Sequence, residues 1–324
     1  MTGVGHAADA PGFEVLTMGR VSVDVYPQQI GVGLEDVTTF GKYLGGSPTN
    51  VAVAAAIHGR RSAVITRTGA DPFGRFIHQA LRGFGVDDRF VASVPAMPTP
   101  VTFCEIFPPD HFPLYFYRFP TAPDLQIAAG ELDLGAVEAA DVFWVTMTGL
   151  CQEPSRSATM AALEARGRGG ITVLDLDYRP MFWSSPDEAH AAVTAALDHV
   201  TIAVGNLEEC AVAVGESEPA AAAGALLSAG VELAVVKQGA AGVLGARSGE
   251  SVTVAPMQVE VVNGLGAGDA FGGALCHGLL AGWSTERLLR FANAAGAVVA
   301  GRLACADAMP TTAELDVLLE GAAS

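Results

Sequence analysis

Short apolar runs, rich in β-branched residues, recur along the chain, each bounded by polar residues or glycine and followed by an alanine-rich segment. The clearest are 15–18, 63–66, 142–145, 172–174, 202–204 and 233–236. They lack the alternation of a half-exposed strand, as befits strands covered on both faces in a parallel sheet. The intervening segments carry helix starts. Ser47-Pro48 and Asp71-Pro72 each place a capping side chain before a proline at the first helical position, and Gly59 and Gly85 suit the ends of those helices. This alternation predicts an α/β fold of three layers, αβα: a doubly wound, mainly parallel sheet with helices on both faces.

Two stretches, about 20–44 and 99–120, break the rhythm. Within the second, 102–107 and 114–119 alternate with a period of two, and no helical segment lies between them. Such stretches predict antiparallel ribbons that form a small β lid over a cleft; the alternative is an edge extension of the main sheet. No repeat or low-complexity linker separates a second domain. Residues 14–324 therefore read as one domain behind a disordered tail, 1–13, which lacks the basic start and apolar run of a secretory signal.

Composition narrows the partners. Half of the 324 residues are hydrophobic, ample for a large core, yet no stretch reaches the ~18 uncharged apolar residues of a membrane span. A net charge of −17 argues against a nucleic-acid partner, because phosphate backbones select basic surfaces. It also means that an anionic substrate must be held by a few locally placed arginines and backbone amides. The five cysteines form no C-x-x-C pair and the histidines no metal-ligand spacing, so buried thiols in a reducing cytoplasm are expected.

The segment Val261-Val262-Asn263-Gly264-Leu265-Gly266-Ala267-Gly268-Asp269-Ala270 carries the candidate chemistry. Its β-branched start reads as a strand, its glycines as a turn, and 270–280 as a closely packed helix. Backbone N–H groups at such a helix N-terminus favour an anion. A carboxylate at the mouth of an anion site repels phosphate, so Asp269 suits another task, that of accepting a proton from an attacking hydroxyl. Anion hole and adjacent base are the minimal equipment for phosphoryl transfer to an alcohol. The rival readings fit less well. A dinucleotide fingerprint needs a third glycine where Asp269 stands, and a Walker loop needs Ser or Thr where Tyr43 follows Gly41-Lys42. A second glycine-rich helix start, Gly45-Gly46-Ser47-Pro48-Thr49-Asn50, offers the Asn50 amide to a ligand, and Asp24 follows the first strand. Taken alone, each of these two residues reads more readily as a local cap or turn residue.

Taken together, the two glycine motifs resemble those of the ribokinase-like (pfkB-type) carbohydrate kinases, and the resemblance runs from about residue 14 to the C-terminus. It implies an ATP-dependent sugar kinase in which Asp24, Gly45, Gly46 and Asn50 contact the sugar. Asp269 would be the base, and Gly266, Ala267 and Gly268 the anion hole. Asn206 and Glu209 would form the Mg2+-phosphate neighbourhood, Glu209 acting indirectly. Lys237, Gly239 and Gly242 would form the nucleotide loop, with Asn293 beside the adenine. The family's usual Asp-Thr is Asn263-Gly264 here, which leaves a monovalent-cation requirement open. A homodimer through the lid is a further expectation. A non-catalytic sensor on the same fold would lack the base.

Two arginines refine the substrate. The segment Asp175-Leu176-Asp177-Tyr178-Arg179-Pro180-Met181-Phe182-Trp183 resembles a motif of the keto-deoxy-sugar-acid kinases, and Arg118 matches their aromatic-aromatic-Arg lid motif. A neutral sugar has no need of two guanidinium groups, whereas a carboxylate pairs well with them. The alternatives are a solvated lid charge for Arg118 and a sheet-end salt bridge for Arg179. Within the class the segments look most like 5-dehydro-2-deoxygluconokinases of myo-inositol catabolism, followed by 2-dehydro-3-deoxygluconate kinases and then fructokinase-like enzymes.

Overall fold

The structure, a computed structural model, describes residues 12–321. Nine strands form the main sheet: β1 (Val15–Met18), β4 (Ser62–Gly69), β5 (Val91–Val94), β8 (Val142–Thr146), β9 (Ile171–Asp175), β10 (Ile202–Asn206), β11 (Leu233–Lys237), β12 (Val243–Arg247) and β13 (Glu250–Val254). Their order is β13-β12-β11-β10-β9-β8-β1-β4-β5. All neighbours from β11 to β5 pair in parallel, and only the β11–β12 and β12–β13 pairings are antiparallel. The six expected runs are all parallel strands. The order reverses at β1, where the chain turns first towards β4 and later resumes on the other side at β8; ligands bind outside the carboxyl ends of strands at such a switch point.

Ten α-helices are described: α1 (Ser47–Ile57), α2 (Pro72–Gly83), α3 (Leu134–Ala139), α4 (Ser155–Arg166), α5 (Pro186–Leu197), α6 (Leu207–Val214), α7 (Pro219–Ser228), α8 (Ala267–Leu280), α9 (Thr285–Ala300) and α10 (Thr312–Gly321). Val15, Trp144, Val173 and Val235 point from the sheet into a core shared with α1, α8 and α9, while Leu16, Phe143, Leu174 and Val236 point into a second core with α4 to α7. This two-sided burial explains the unbroken apolar runs. Close approach of α8 to α1 depends on Gly273: a Cβ there would lie 2.2 Å from that of Ala54.

The remaining strands, β2 (Ser22–Pro27), β3 (Phe40–Gly45), β6 (Val101–Cys104) and β7 (Leu114–Tyr117), form a separate sheet in the order β3-β2-β6-β7. The two hairpins are antiparallel, as expected for the lid, and they meet through a parallel pairing of β2 with β6.

Three local expectations need correction. Val261-Val262 is not a strand: the sheet ends at β13, and the amides of Val262 and Asn263 both donate to the Ala300 carbonyl at the end of α9. Ser47 does not cap α1; Gly46 is the N-cap, with φ 102°, and the Ser47 hydroxyl turns to Asp269 instead. Asp71 does cap α2, accepting from Gly74 N at 2.8 Å, and Gly59 and Gly85 follow their helices with φ near 80°. Most of the expected tail, 1–11, lies outside the described residues. Gly12 and Phe13, also assigned to it, belong to the fold: the Gly12 carbonyl accepts from Arg61, and Phe13 packs edge-on against Phe90.

Candidate active site

Asp175 ends β9, Asn206 ends β10, Lys237 ends β11, and Arg20 follows β1 by two residues. Four strands thus deliver polar side chains to a cavity of about 250 Å³ between the sheet and the lid. The lid side of this cavity carries Asp24, Tyr26, Thr102, Leu114 and Phe116. An adjoining cleft of about 580 Å³ is more apolar and runs between the 239–242 loop, the 256–261 segment and helices α8 and α9.

The first helical bond of α8 is donated by Ala270, to the Gly266 carbonyl, so the amides at 267–269 have no partner inside the helix. Gly266 takes a left-handed φ of 82° and packs so tightly that a Cβ would sit 2.5 Å from the Cys305 sulfur. Asn263 fixes the preceding turn. Its Nδ2 donates to the Leu303 carbonyl at 2.7 Å, and its Oδ1 accepts from Leu265 N at 3.1 Å.

Asp269 stands on the first turn of α8 and accepts a 2.8 Å hydrogen bond from Asn50 Nδ2. Burial pushes its carboxyl up to about 6, against the opposing pull of the Asn50 and Ser47 hydrogen bonds. The result is a carboxylate more basic than an ordinary Asp. Burial also raises Asp24, which Ser22 Oγ (2.6 Å) and Tyr26 Oη (3.0 Å) hold in place. Asp177 is buried too, yet Arg179, Arg20 and Lys237 keep it below its ordinary value.

Arg20 was missed by the sequence reading. Its guanidinium lies 3.9 Å from Asp177 and 5.5 Å from the Phe116 ring centroid, and its Nε is buried with no hydrogen-bond partner. Arg179 pairs with Asp177 at 2.8 Å and likewise has a buried, unpartnered Nε. Asn50 Oδ1 and Asp177 Oδ2 are unpartnered as well. These four orphaned atoms belong to residues that line the same cavity, and buried polar groups left unpaired are costly, so they mark where a polar ligand completes the set. The available signal was position: Arg20 follows the carboxyl end of the strand where the order reverses.

Asp24, Gly46, Asn50, Arg179, Asn206, Glu209, Lys237, Gly266, Gly268 and Asp269 line the sugar-sized cavity. Lys237, Gly239, Gly242, Ala267, Gly268 and Asn293 line the apolar cleft. Gly45 does not line the cavity. It stands behind Asp24, whose Oδ1 occupies the space a Cβ would take. Asn206 and Glu209 cap α6 reciprocally, at 2.7 and 2.9 Å, and no cluster of three metal-ligating side chains exists among the described residues. One carboxylate with an adjacent amide suits a Mg2+ that keeps its waters and phosphate oxygens.

Arg118 is the main correction. Its guanidinium forms two hydrogen bonds with Asp124, at 2.8 and 3.1 Å, lies over the Phe182 ring and does not reach the cavity. Both groups are buried and their forks match, so the guanidinium is committed to Asp124. Asp124 also accepts from the backbone N–H of Val21, so this pair anchors the turn that carries Arg20. Arg118→Ala leaves a buried carboxylate without its counter-charge and is expected to cost about 3–5 kcal/mol in urea unfolding. KM for the sugar substrate should rise less than in Arg20→Ala; the reverse order would return Arg118 to the substrate.

Comparison with known proteins places the chain in a family. The profile of the pfkB family carbohydrate kinases matches residues 13–312. A 5-dehydro-2-deoxygluconokinase of Shouchella clausii is 33% identical over 95% of this chain and 96% of its own. One from Listeria monocytogenes is 30% identical with the same coverage. Among solved structures, a putative Ribokinase II from E. coli superposes with a TM-score of 0.87 over 95% of this chain and 99% of its own, at 24% identity, which speaks to the fold alone. A fructokinase from Vibrio cholerae, in its fructose, ADP and calcium ion bound form, reaches 0.81 at 28% identity over 95% of this chain and 99% of that one. The chain belongs to the pfkB family of carbohydrate kinases.

Proposed function

We propose that the protein transfers the γ-phosphoryl group of ATP to the primary hydroxyl of 5-dehydro-2-deoxygluconate, giving the 6-phosphate. One observation carries the sugar-acid reading: Arg20 and Arg179, each with an orphaned buried Nε, line the cavity that also holds the buried base. The names of the Shouchella and Listeria relatives favour this sugar acid over 2-dehydro-3-deoxygluconate or fructose.

The nucleotide would lie in the apolar cleft, its base towards Asn293, with its phosphates reaching Lys237 and Gly268. Asp24 and Asn50 would orient the sugar hydroxyls, and Arg20 and Arg179 would take the carboxylate. Asp269 accepts the hydroxyl proton while that oxygen forms its bond to the γ-phosphorus. The bond to the β-phosphate oxygen breaks, and ADP leaves with the electron pair. Amides at 267–269 stabilise the charge of the transferring group. Mg2+, held near Glu209 and Asn206, would supply charge neutralisation for the nucleotide phosphates.

The two hydrogen bonds of Asn263 support a turn that the chain fastens without a monovalent cation. The exposed aromatic residues Phe40, Tyr115, Tyr117 and Phe119 support a homodimer formed through the outer side of the lid. The buried thiols support a reducing, cytoplasmic setting.

Four measurements test this reading. ADP release should be fastest with 5-dehydro-2-deoxygluconate among that compound, 2-dehydro-3-deoxygluconate and fructose, and equal in potassium and tetramethylammonium salts; turnover of fructose alone would sink the sugar-acid assignment. Asp269→Asn should lower kcat by at least about 10²-fold. The wild-type kcat/KM should fall as pH drops below about 6, where Asp269 takes up the proton it must accept from substrate; a flat profile from pH 5 to 8 would remove it as the base. Sedimentation should give a dimer for the wild type and a monomer for Tyr117→Lys, and a monomeric wild type would end the lid-pairing proposal.

A further inference from the structure

Three residues line both cavities: Lys237, Gly264 and Gly268. A phosphoryl group moving from nucleotide to sugar has to pass the seam they form. Two of them are glycines, so the seam has a single side chain. Lys237 projects from the end of β11, and its Nζ lies 3.5 Å from where a Cβ of Gly268 would be, against the opening amides of α8. The ammonium makes no hydrogen bond among the described residues, and its one close carboxylate, Glu209, stands 3.9 Å away. An ion pair at that distance leaves the three N–H donors of the ammonium uncommitted.

From this geometry we infer that Lys237 is a catalytic residue, the cation that meets the phosphoryl group as it crosses the seam, beside the amides that open α8. Lys237 lines the sugar side of the seam as well as the nucleotide side, so its charge is not confined to the nucleotide's own cleft. Asp175, Asp177, Glu209 and Asp269 surround it and hold its ammonium above the ordinary lysine range, against a burial that works the other way. The charge is therefore permanent at working pH. In a loose transition state the negative charge is spread over the oxygens of the group in flight, so a point charge at the seam acts most strongly at mid-transfer. The inference rests on the phosphotransfer reading and adds a residue to it.

Lys237→Met removes the charge at similar length, and Lys237→Arg keeps the charge balance of the carboxylate cluster. Both are assayed with whichever acceptor of the three-sugar panel the wild type phosphorylates; silence of the wild type on all three would overturn the kinase reading itself. Lys237→Met is expected to lose at least about 10²-fold in kcat, as when a single transition-state donor is removed, with KM for the acceptor and Kd for ADP within about threefold of wild type. Binding of ADP with aluminium fluoride and the acceptor, which imitates the group in flight, should weaken by a similar factor. Lys237→Arg should retain more kcat than Lys237→Met. A Met variant with wild-type kcat, or one whose loss is matched by an equal loss of ADP affinity, would overturn the assignment.

Discussion

Five carboxylates and three cations share one small cavity: Asp24, Asp175, Asp177, Glu209 and Asp269 with Arg20, Arg179 and Lys237. Charges confined in a medium of low dielectric interact strongly, and each unpaired one is costly to bury. The arrangement is tolerable only because the burden is unequally divided. Arg179 pairs with Asp177 and Arg20 stands beside it, so no cation pairs directly with Asp269, and burial raises its proton affinity against the pull of the Asn50 hydrogen bond. A guanidinium paired directly with Asp269 would make it a weaker base. The separation of the cations from the base therefore sets the chemistry, and the fold maintains it by placing the cations at or just beyond the ends of β1, β9 and β11 and the base on α8.

The fold was legible because its cause is local and repeated. Strands buried on both faces leave unbroken apolar runs, and Asp71 or Gly59 punctuates helices through chemistry contained within a few residues. Val261-Val262 misled for the same reason: β-branched composition describes a residue's fitness for a strand, not the presence of a neighbour to pair with. Ser47 failed as a cap because the helix begins one residue earlier than expected, with Gly46 at the N-cap.

The site divides along a similar line. Residues within glycine motifs, such as Gly266, Asp269 and Asn50, are recognisable because the backbone constraint and the functional group lie together in sequence. Arginines carry no such marker. Arg118 and Arg20 are 98 positions apart, and which of them reaches the cavity is decided by Asp124, whose carboxylate captures one and tethers the turn bearing the other. No pattern along the chain reports that competition. Only the folded geometry shows that the lid arginine is a fastener and that its counterpart after β1 lines the cavity.

The parallel seam between β2 and β6 gives the lid a mechanical property. Because that pairing joins the two hairpins into one plate, neither can lift alone without breaking its ladder. Asp24 and Tyr26 ride on one hairpin, Leu114 and Phe116 on the other, while Asn50, Arg179 and Asp269 stay with the body. The cavity thus has two walls, one on the plate and one on the body, and any displacement of the plate would carry all four of these lid residues together.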